Sequence, residues 1–241
     1  MTPEDAFWRR LVDAASQAYR GSDGHAVRFA RAKLGGDRVF RHVVEHGLIA
    51  PGARVLDVGC GQGLFASLLH AADKATRSGD WPAGWAAAPV GAQVTGIDPL
   101  SLDIERGIKA LGGAARFICA DMRRFAMPTC DAVVFFDTLH YIAPHEQDAA
   151  LENARNALSP SGVLLLRVHD ATAPLRFAFG LWVDRLTMLL HGGGYGRLAG
   201  RSLDAWRTRL EQLGFEVSSI QMNGRPPFAN LLIVARLPEH A

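Results

Sequence analysis

The sequence predicts a doubly wound α/β fold built on a mostly parallel sheet. Short apolar runs alternate with helical stretches from Arg54 to Val168, one run ends in a cluster of glycines, and the last two runs follow each other without a helix between them. The alternation calls for parallel strands covered by helices on both faces. The closing pair calls for a hairpin, hence one antiparallel strand in a sheet of seven.

Pro3–Tyr19 reads as a helix, because Phe7, Leu11, Ala14, Ala15 and Ala18 recur at helical spacing behind the acidic first turn of Glu4 and Asp5. Two shorter helical stretches, Ala26–Leu34 and Asp37–His46, follow, separated by a break at Gly35 and Gly36. The strand candidates are Arg54–Val58, Gln93–Ile97 ending on Asp98 and Pro99, and Ala115–Ala120 ending on Asp121. Then come Asp131–Phe136, an apolar run of the kind buried on both faces, and Val163–Val168 after a turn at Ser159–Gly162. Helices Leu64–Ala72, Leu102–Leu111 and Gln147–Leu158 connect them, and Leu203–Leu213 precedes the hairpin of Phe215–Gln221 and Asn230–Arg236. The chain therefore divides into a helical extension over residues 1–50 and an α/β region over residues 51–241, one structural domain overall. Insertions near 73–90 and 170–201 stand outside the alternation.

The bulk numbers fit this organisation. A chain of 241 residues with 49% hydrophobic and 21% charged residues can bury a large core, and nothing in it signals disorder. Lys and Arg total 26 against 24 Asp and Glu, a near-balance that argues against a nucleic-acid partner. Cys60, Cys119 and Cys130 lie far apart, with no CxxC pair and no zinc signature, which fits a reducing compartment and predicts no metal. The N-terminus carries acids where a signal peptide needs basic then apolar residues, and no stretch reaches the roughly 18 apolar residues of a membrane span. A cytoplasmic location is the expectation.

The chemistry concentrates at Asp57-Val-Gly-Cys-Gly-Gln-Gly63. Glycines between a strand and a helix let the backbone turn sharply and let a ligand approach without a Cβ in the way, and the helix start beyond them supplies N–H groups. Alone, such a turn is equally a tight connection with no ligand. The GxGxG spacing with an acid two residues ahead differs from the GxGxxG of dinucleotide enzymes. Asp98 ends the next strand, where a carboxylate can accept hydrogen bonds from two ribose hydroxyls. Asp121 and Met122 end the third, where an acid can take an adenine amino group and an apolar side chain can stack on the base. Each acid alone could be a helix cap; together they converge on one crevice at the carboxyl ends of successive strands.

Asp57–Gly63, Ile97-Asp98, Ala120-Asp121-Met122 and Asp131–Asp137 resemble the successive motifs of the class I S-adenosylmethionine-dependent methyltransferases, over a stretch from about Arg54 to Val168. The resemblance implies a Rossmann-like fold, S-adenosylmethionine as cofactor and S-adenosylhomocysteine as product. It implies cofactor contacts from Asp57, Gly59, Cys60, Gly61, Gly63, Asp98, Pro99, Asp121, Met122, Phe136 and Asp137. The glycine turn would face the methionine portion, Asp98 the ribose, and Asp121 with Met122 the adenine. One departure is the long separation of Asp98 from Gly63, against about 20 residues in a compact βαβ unit; the 73–90 insertion accounts for it.

The loop from Phe136 onward would face the acceptor. His140 is the candidate general base there, with Tyr141 beside it, against the ordinary alternatives of a hydrogen-bonded structural histidine and a core tyrosine. Arg167, His169 and Asp170 follow the fifth strand, as site groups or as a salt-bridge cluster. No Asn/Asp-Pro-Pro-Tyr tetrad, the mark of enzymes that methylate nucleic-acid amino groups, follows Phe136. Trp81 and Trp85 are read as surface packing or as part of a lid. Pro174–Leu190 is read as an ordinary buried helix or homodimer contact, or as an apolar wall over the acceptor, with Gly192–Gly196 as its hinge. Arg28, Arg31, Lys33 and Arg38 form a solvated basic face, or meet the cofactor carboxylate or an acidic carrier protein. Arg28–Phe40, Asp137–Ile142 and Arg225–Asn230 are also similar to methyltransferases of bacterial aryl-polyene pigment pathways. The resulting expectation is a methyltransferase acting on a small aromatic or acyl acceptor, free or presented on an acyl carrier protein. An NAD-dependent oxidoreductase and a non-catalytic cofactor-binding interaction protein are the alternatives.

Overall fold

The structure is a computed structural model that describes residues 1–22, 24–169, 199–223 and 229–238. The expectations placed on Asp170, Pro174–Leu190, Gly192–Gly196 and Arg225–Phe228, and on the side chain of His169, lie outside the described residues. Seven strands form one sheet in the order β3-β2-β1-β4-β5-β7-β6. They are β1 (Arg54–Val58), β2 (Gln93–Asp98), β3 (Arg116–Cys119), β4 (Cys130–Phe136), β5 (Leu158–His169), β6 (Glu216–Asn223) and β7 (Ala229–Arg236). β1 pairs parallel with β2 and β2 with β3, while β7 runs antiparallel to both β5 and β6. The single antiparallel strand and the hairpin are as the sequence predicts.

By packing, the chain falls into two compact units. The first comprises Met1–Phe125 with Cys130–Val133, the second Ala126–Thr129 with the chain from Val134 onward. In the first, helix α1 (Pro3–Gln17) starts at a capping box in which Thr2 and Asp5 hydrogen-bond each other's backbone N–H. It is followed by α2 (Gly24–Gly36), α3 (Arg38–Glu45), α4 (Leu64–Arg77) and α5 (Ser101–Leu111). The break expected at Gly35 and Gly36 falls instead at Asp37. Both glycines close the last turn of α2, where their cost is low. The Asp37 carboxylate accepts from Val39 N–H at 3.1 Å and caps α3. In the second unit, helix α6 (Pro144–Ala157) begins at Pro144, earlier than expected, because proline is pre-shaped for the first helical position and Glu146 accepts from Ala143 N–H at 2.8 Å. Helix α7 (Leu203–Gln212) is capped by Ser202. The turn expected at Ser159–Gly162 lies within β5, as a kink with Ser161 at φ +60°.

Helix α4 runs on to Arg77 and absorbs the start of the 73–90 insertion, and the rest is folded back onto it: Gly91 N–H donates to the Asp73 carboxylate at 2.8 Å. Trp85 is buried, and Phe7, Trp81 and Trp85 form a trio of edge-to-face contacts with centroids 5.2–5.5 Å apart. The insertion is thus packed structure on α1. Trp85→Ala is expected to lower the unfolding free energy by about 3–5 kcal/mol while cofactor affinity stays within about twofold, as measured by denaturant titration and calorimetry.

Candidate functional site

The residues singled out on β1, β2 and the turn between β1 and α4 come together in the first unit. Gly59, Gly61 and Gly63 all take positive φ, at +75°, +52° and +79°. Only some of these glycines make room for a ligand. A Cβ on Gly63 would lie 2.4 Å from the Phe117 ring, and one on Gly96 would lie 2.7 Å from the Cys60 sulfur. Gly107, on α5, would meet the same Phe117 ring at 3.2 Å. Phe117 therefore sits in a niche cut by three glycines, a packing demand for which the sequence gave no periodic signal. At Gly61, by contrast, a Cβ would meet nothing within 4 Å, so this is where the turn faces open space.

The N–H groups of the turn are directed inward. Gly59 and Cys60 both donate to the Ile97 carbonyl, at 2.8 and 3.0 Å, and Gly63 donates to the Cys60 carbonyl at 2.9 Å. Gly61 N–H donates to the Asp98 carboxylate at 2.9 Å. These bonds concern the turn itself; the donors expected of the helix start beyond it, from Leu64 onward, are other amides. An anion-binding loop needs donors aimed at the ligand, and these four amides already serve the protein.

Two buried carboxylates set the electrostatics instead. Asp57 is 3% exposed and Asp98 8% exposed. Burial, together with the neighbouring Asp98 charge, pushes the Asp57 carboxyl up to about 7. Burial also raises Asp98, against the opposing pull of the Leu100 and Gly61 N–H groups. Those donors, at 2.9 Å each, take one site on each Asp98 oxygen. A carboxylate offers about four acceptor sites, so Asp98 retains capacity for a pair of hydroxyls. Two acids, Asp57 and Asp98, are thus buried beneath a turn whose Gly59, Cys60, Gly61 and Gly63 amides are engaged internally.

The remaining expectations divide by position. The Asp121 carboxylate is gripped by the Arg123 guanidinium and by Arg123 N–H at 3.0 Å, which holds it below the usual carboxylate range, and Met122 beside it is buried. Pro99 is exposed, its carbonyl accepting from the Cys119 thiol. Of the basic face on α2, Arg31 pairs with Asp13 and Lys33 with Asp37. In the second unit, Asp137 takes φ +59° directly after Phe136 and forms an ion pair with the buried Arg167. His140 is buried in a short 3₁₀ turn (Leu139–Tyr141), 4.2 Å from the Tyr141 ring centroid, and its carbonyl accepts from Ala199 N–H at 2.9 Å. Gln147, fully buried, bridges the Leu139, Ile142 and Ala199 carbonyls and holds that loop in shape. Among the described residues no helix is long and apolar enough to cross a membrane, and no cluster of side chains could hold a metal.

Residues 25–220 match the family model of the methyltransferase domain. The chain belongs to this family, the class I S-adenosylmethionine-dependent methyltransferases. It is 27% identical over 191 residues to a carboxy-S-adenosyl-L-methionine synthase of Hydrogenovibrio crunogenus, covering 70% of this methyltransferase and 68% of that relative. Two solved structures share its fold. One is an O-methyltransferase family protein from Burkholderia thailandensis, at 20% identity and TM-score 0.60, where 95% of this chain spans only 64% of the other. The other is the magnesium protoporphyrin IX methyltransferase of Synechocystis with bound S-adenosylhomocysteine, at 18% identity and TM-score 0.58, covering 96% and 93% of the two chains.

The raised Asp57 carboxyl has a consequence for stability. Its folded value, about 7, lies above the ordinary 3.8, so the folded protein keeps a proton that the unfolded chain has released. Stability therefore falls as pH rises from about 4 to about 7, by up to about 1.4 kcal/mol per pH unit for one proton. Asp57→Asn removes this slope. The melting temperature of the variant minus that of the wild type, both free of cofactor, is expected to be larger at pH 7.5 than at pH 4.5; a constant difference would contradict the assignment.

Proposed function

We propose that the chain transfers a methyl group from S-adenosylmethionine, held at the β1–α4 turn, to a small aromatic or acyl acceptor, free or carried on an acyl carrier protein. The observation that carries this reading is the sign of the site: two buried carboxylates, Asp57 and Asp98, beneath a glycine turn whose N–H groups are engaged internally. That arrangement favours a ligand bearing an ammonium and a sulfonium over an NAD pyrophosphate. When bound, S-adenosylmethionine supplies an electrophilic methyl on a good leaving group, so the protein's main task is in-line placement, which can contribute roughly 7–11 kcal/mol.

In this reading Asp98 accepts from the ribose hydroxyls with its two remaining sites and Asp57 faces the ammonium group. Gly61, with open space at its α-carbon, lets the methionine portion approach the backbone. Asp121 and Met122 serve the adenine, while Gly59, Cys60, Gly63 and Pro99 shape the surrounding backbone. The resemblance adds Phe136 and Asp137 as proposed cofactor contacts and His140, with Tyr141, as the proposed group that takes the proton of an acceptor hydroxyl or activated carbon.

Wild-type protein is expected to bind S-adenosylmethionine and not NAD in titration calorimetry. Asp98→Asn is expected to weaken cofactor binding about ten- to a hundredfold, as loss of a charged hydrogen-bond partner does. His140→Ala is expected to leave cofactor affinity unchanged and to lower turnover about 10²–10⁴-fold if the acceptor must lose a proton to a base. Binding of NAD in preference to S-adenosylmethionine would overturn the reading. The likeness to a carboxy-S-adenosyl-L-methionine synthase supports a second reading, in which the sulfonium methyl of the bound cofactor gives up a proton to a base and bonds to carbon dioxide released from a carboxylic-acid co-substrate. Mass spectrometry of the nucleoside product separates the two, as S-adenosylhomocysteine or as a carboxylated sulfonium.

A further inference from the structure

The N-terminal helices reach the glycine turn through one buried polar contact. Tyr19, fully buried in the 3₁₀ turn Ala18–Gly21 that follows α1, donates its hydroxyl proton to the main-chain carbonyl of Gln62 at 2.9 Å. The Gln62 side chain, also buried, donates in turn to the Ala26 carbonyl in the first turn of α2 at 3.2 Å. Gln62 lies between Gly61, whose N–H holds Asp98, and Gly63, whose left-handed conformation starts α4. From its other side, α5 approaches the same carbonyl at Gly107, where a Cβ would lie only 3.1 Å away. The Gln62 carbonyl, and with it the Gln62–Gly63 peptide plane, is thereby held directly beyond Gly61, whose N–H donates to Asp98.

We propose that Tyr19 is a positioning residue for the cofactor turn, and that its hydroxyl, acting through Gln62, couples cofactor binding to the seating of α2. Burial pushes the Tyr19 phenol up, so it stays a proton donor across the working pH range. The groups around it are Ser67, Cys60 and Asp57; Ser67 donates to the Ala15 carbonyl and the Cys60 thiol to the Gly61 carbonyl, so neither donates to the Gln62 carbonyl. A separate tether joins α4 to α1: Ser67 donates to the Ala15 carbonyl at 2.8 Å. Removing the Tyr19 hydroxyl therefore leaves the helices attached and releases the turn.

The inference rests on the reading of this turn as the cofactor site, and the experiment keeps the two apart. Titration calorimetry with S-adenosylhomocysteine compares wild type with Tyr19→Phe, and turnover is measured at saturating cofactor. Tyr19→Phe is expected to raise the dissociation constant at least about fivefold with kcat within about twofold. A purely structural role would instead reduce the active fraction, lowering apparent kcat at unchanged affinity. Hydrogen exchange on the wild type gives an answer independent of the variant's folding: cofactor is expected to slow exchange of the amides from Tyr19 to Ala30 at least about tenfold. Wild-type binding with unaltered Tyr19→Phe affinity, or no slowing at Tyr19–Ala30, would overturn the role of Tyr19. Absence of wild-type binding would instead overturn the cofactor reading.

Discussion

Two carboxylates buried under a turn of glycines are the constraint on which the rest of the site depends. Burying an anion is costly unless it is compensated, and here the compensation is partial. Asp98 is held by the Gly61 and Leu100 N–H groups, while no hydrogen bond to the Asp57 side chain is present among the described residues and its carboxyl rises to about 7. The turn that brings the Gly61 N–H to Asp98 runs through three left-handed glycines, and Phe117 packs against one of them, Gly63, in the niche it shares with Gly96 and Gly107. In the proposed reading a cation completes this arrangement, and that one requirement links the sequence motif, the left-handed glycines and the choice of ligand.

The same constraint explains the scaffolding around the site. The N-terminal helices do more than cover the sheet, since Tyr19 and Ala26 meet the turn itself at Gln62. The 73–90 insertion lengthens the connection between β1 and β2 without disturbing their pairing, which runs in register from Arg54–Gln93 to Val58–Ile97. It achieves this by folding back on α4 through Asp73 and Gly91 and by burying Trp85 against Phe7. An insertion that buries its own Trp85 leaves the register of the strands free to set Asp57 opposite Gly96, two residues before Asp98.

The centre of the sheet was legible because β1, β4 and β5 are apolar runs buried on both faces over most of their length, and such runs have few alternative structures. β1, β2 and β4 fall within a residue of their expected limits. Boundaries shifted where a local rule competed with a stronger contact: Pro144 started α6 early, and Gly35 and Gly36 were absorbed into α2 because Asp37 supplied the cap. In the site, the acidic ends of β1 and β2 were readable from spacing, since acids at the ends of successive strands converge on one crevice although each alone could be a cap. The roles of the glycines were not separable. Gly61 and Gly63 look alike in sequence, yet one faces open space and the other is occupied by a ring from β3. Tyr19 and Gln62 carried no signal either, because a contact between a helix end and a main-chain carbonyl 43 residues away obeys no short-range pattern.

In the proposed reading S-adenosylmethionine binds at the carboxylate-lined turn that follows β1. Hydrogen exchange of the wild type with and without S-adenosylhomocysteine reports where the ligand sits. Protection is expected to concentrate in peptides spanning Asp57–Ser67 and Ile97–Asp103. Binding that leaves both peptides unchanged, with protection instead along the groove of about 830 Å³ lined by Leu11, His70 and Lys74, would contradict it.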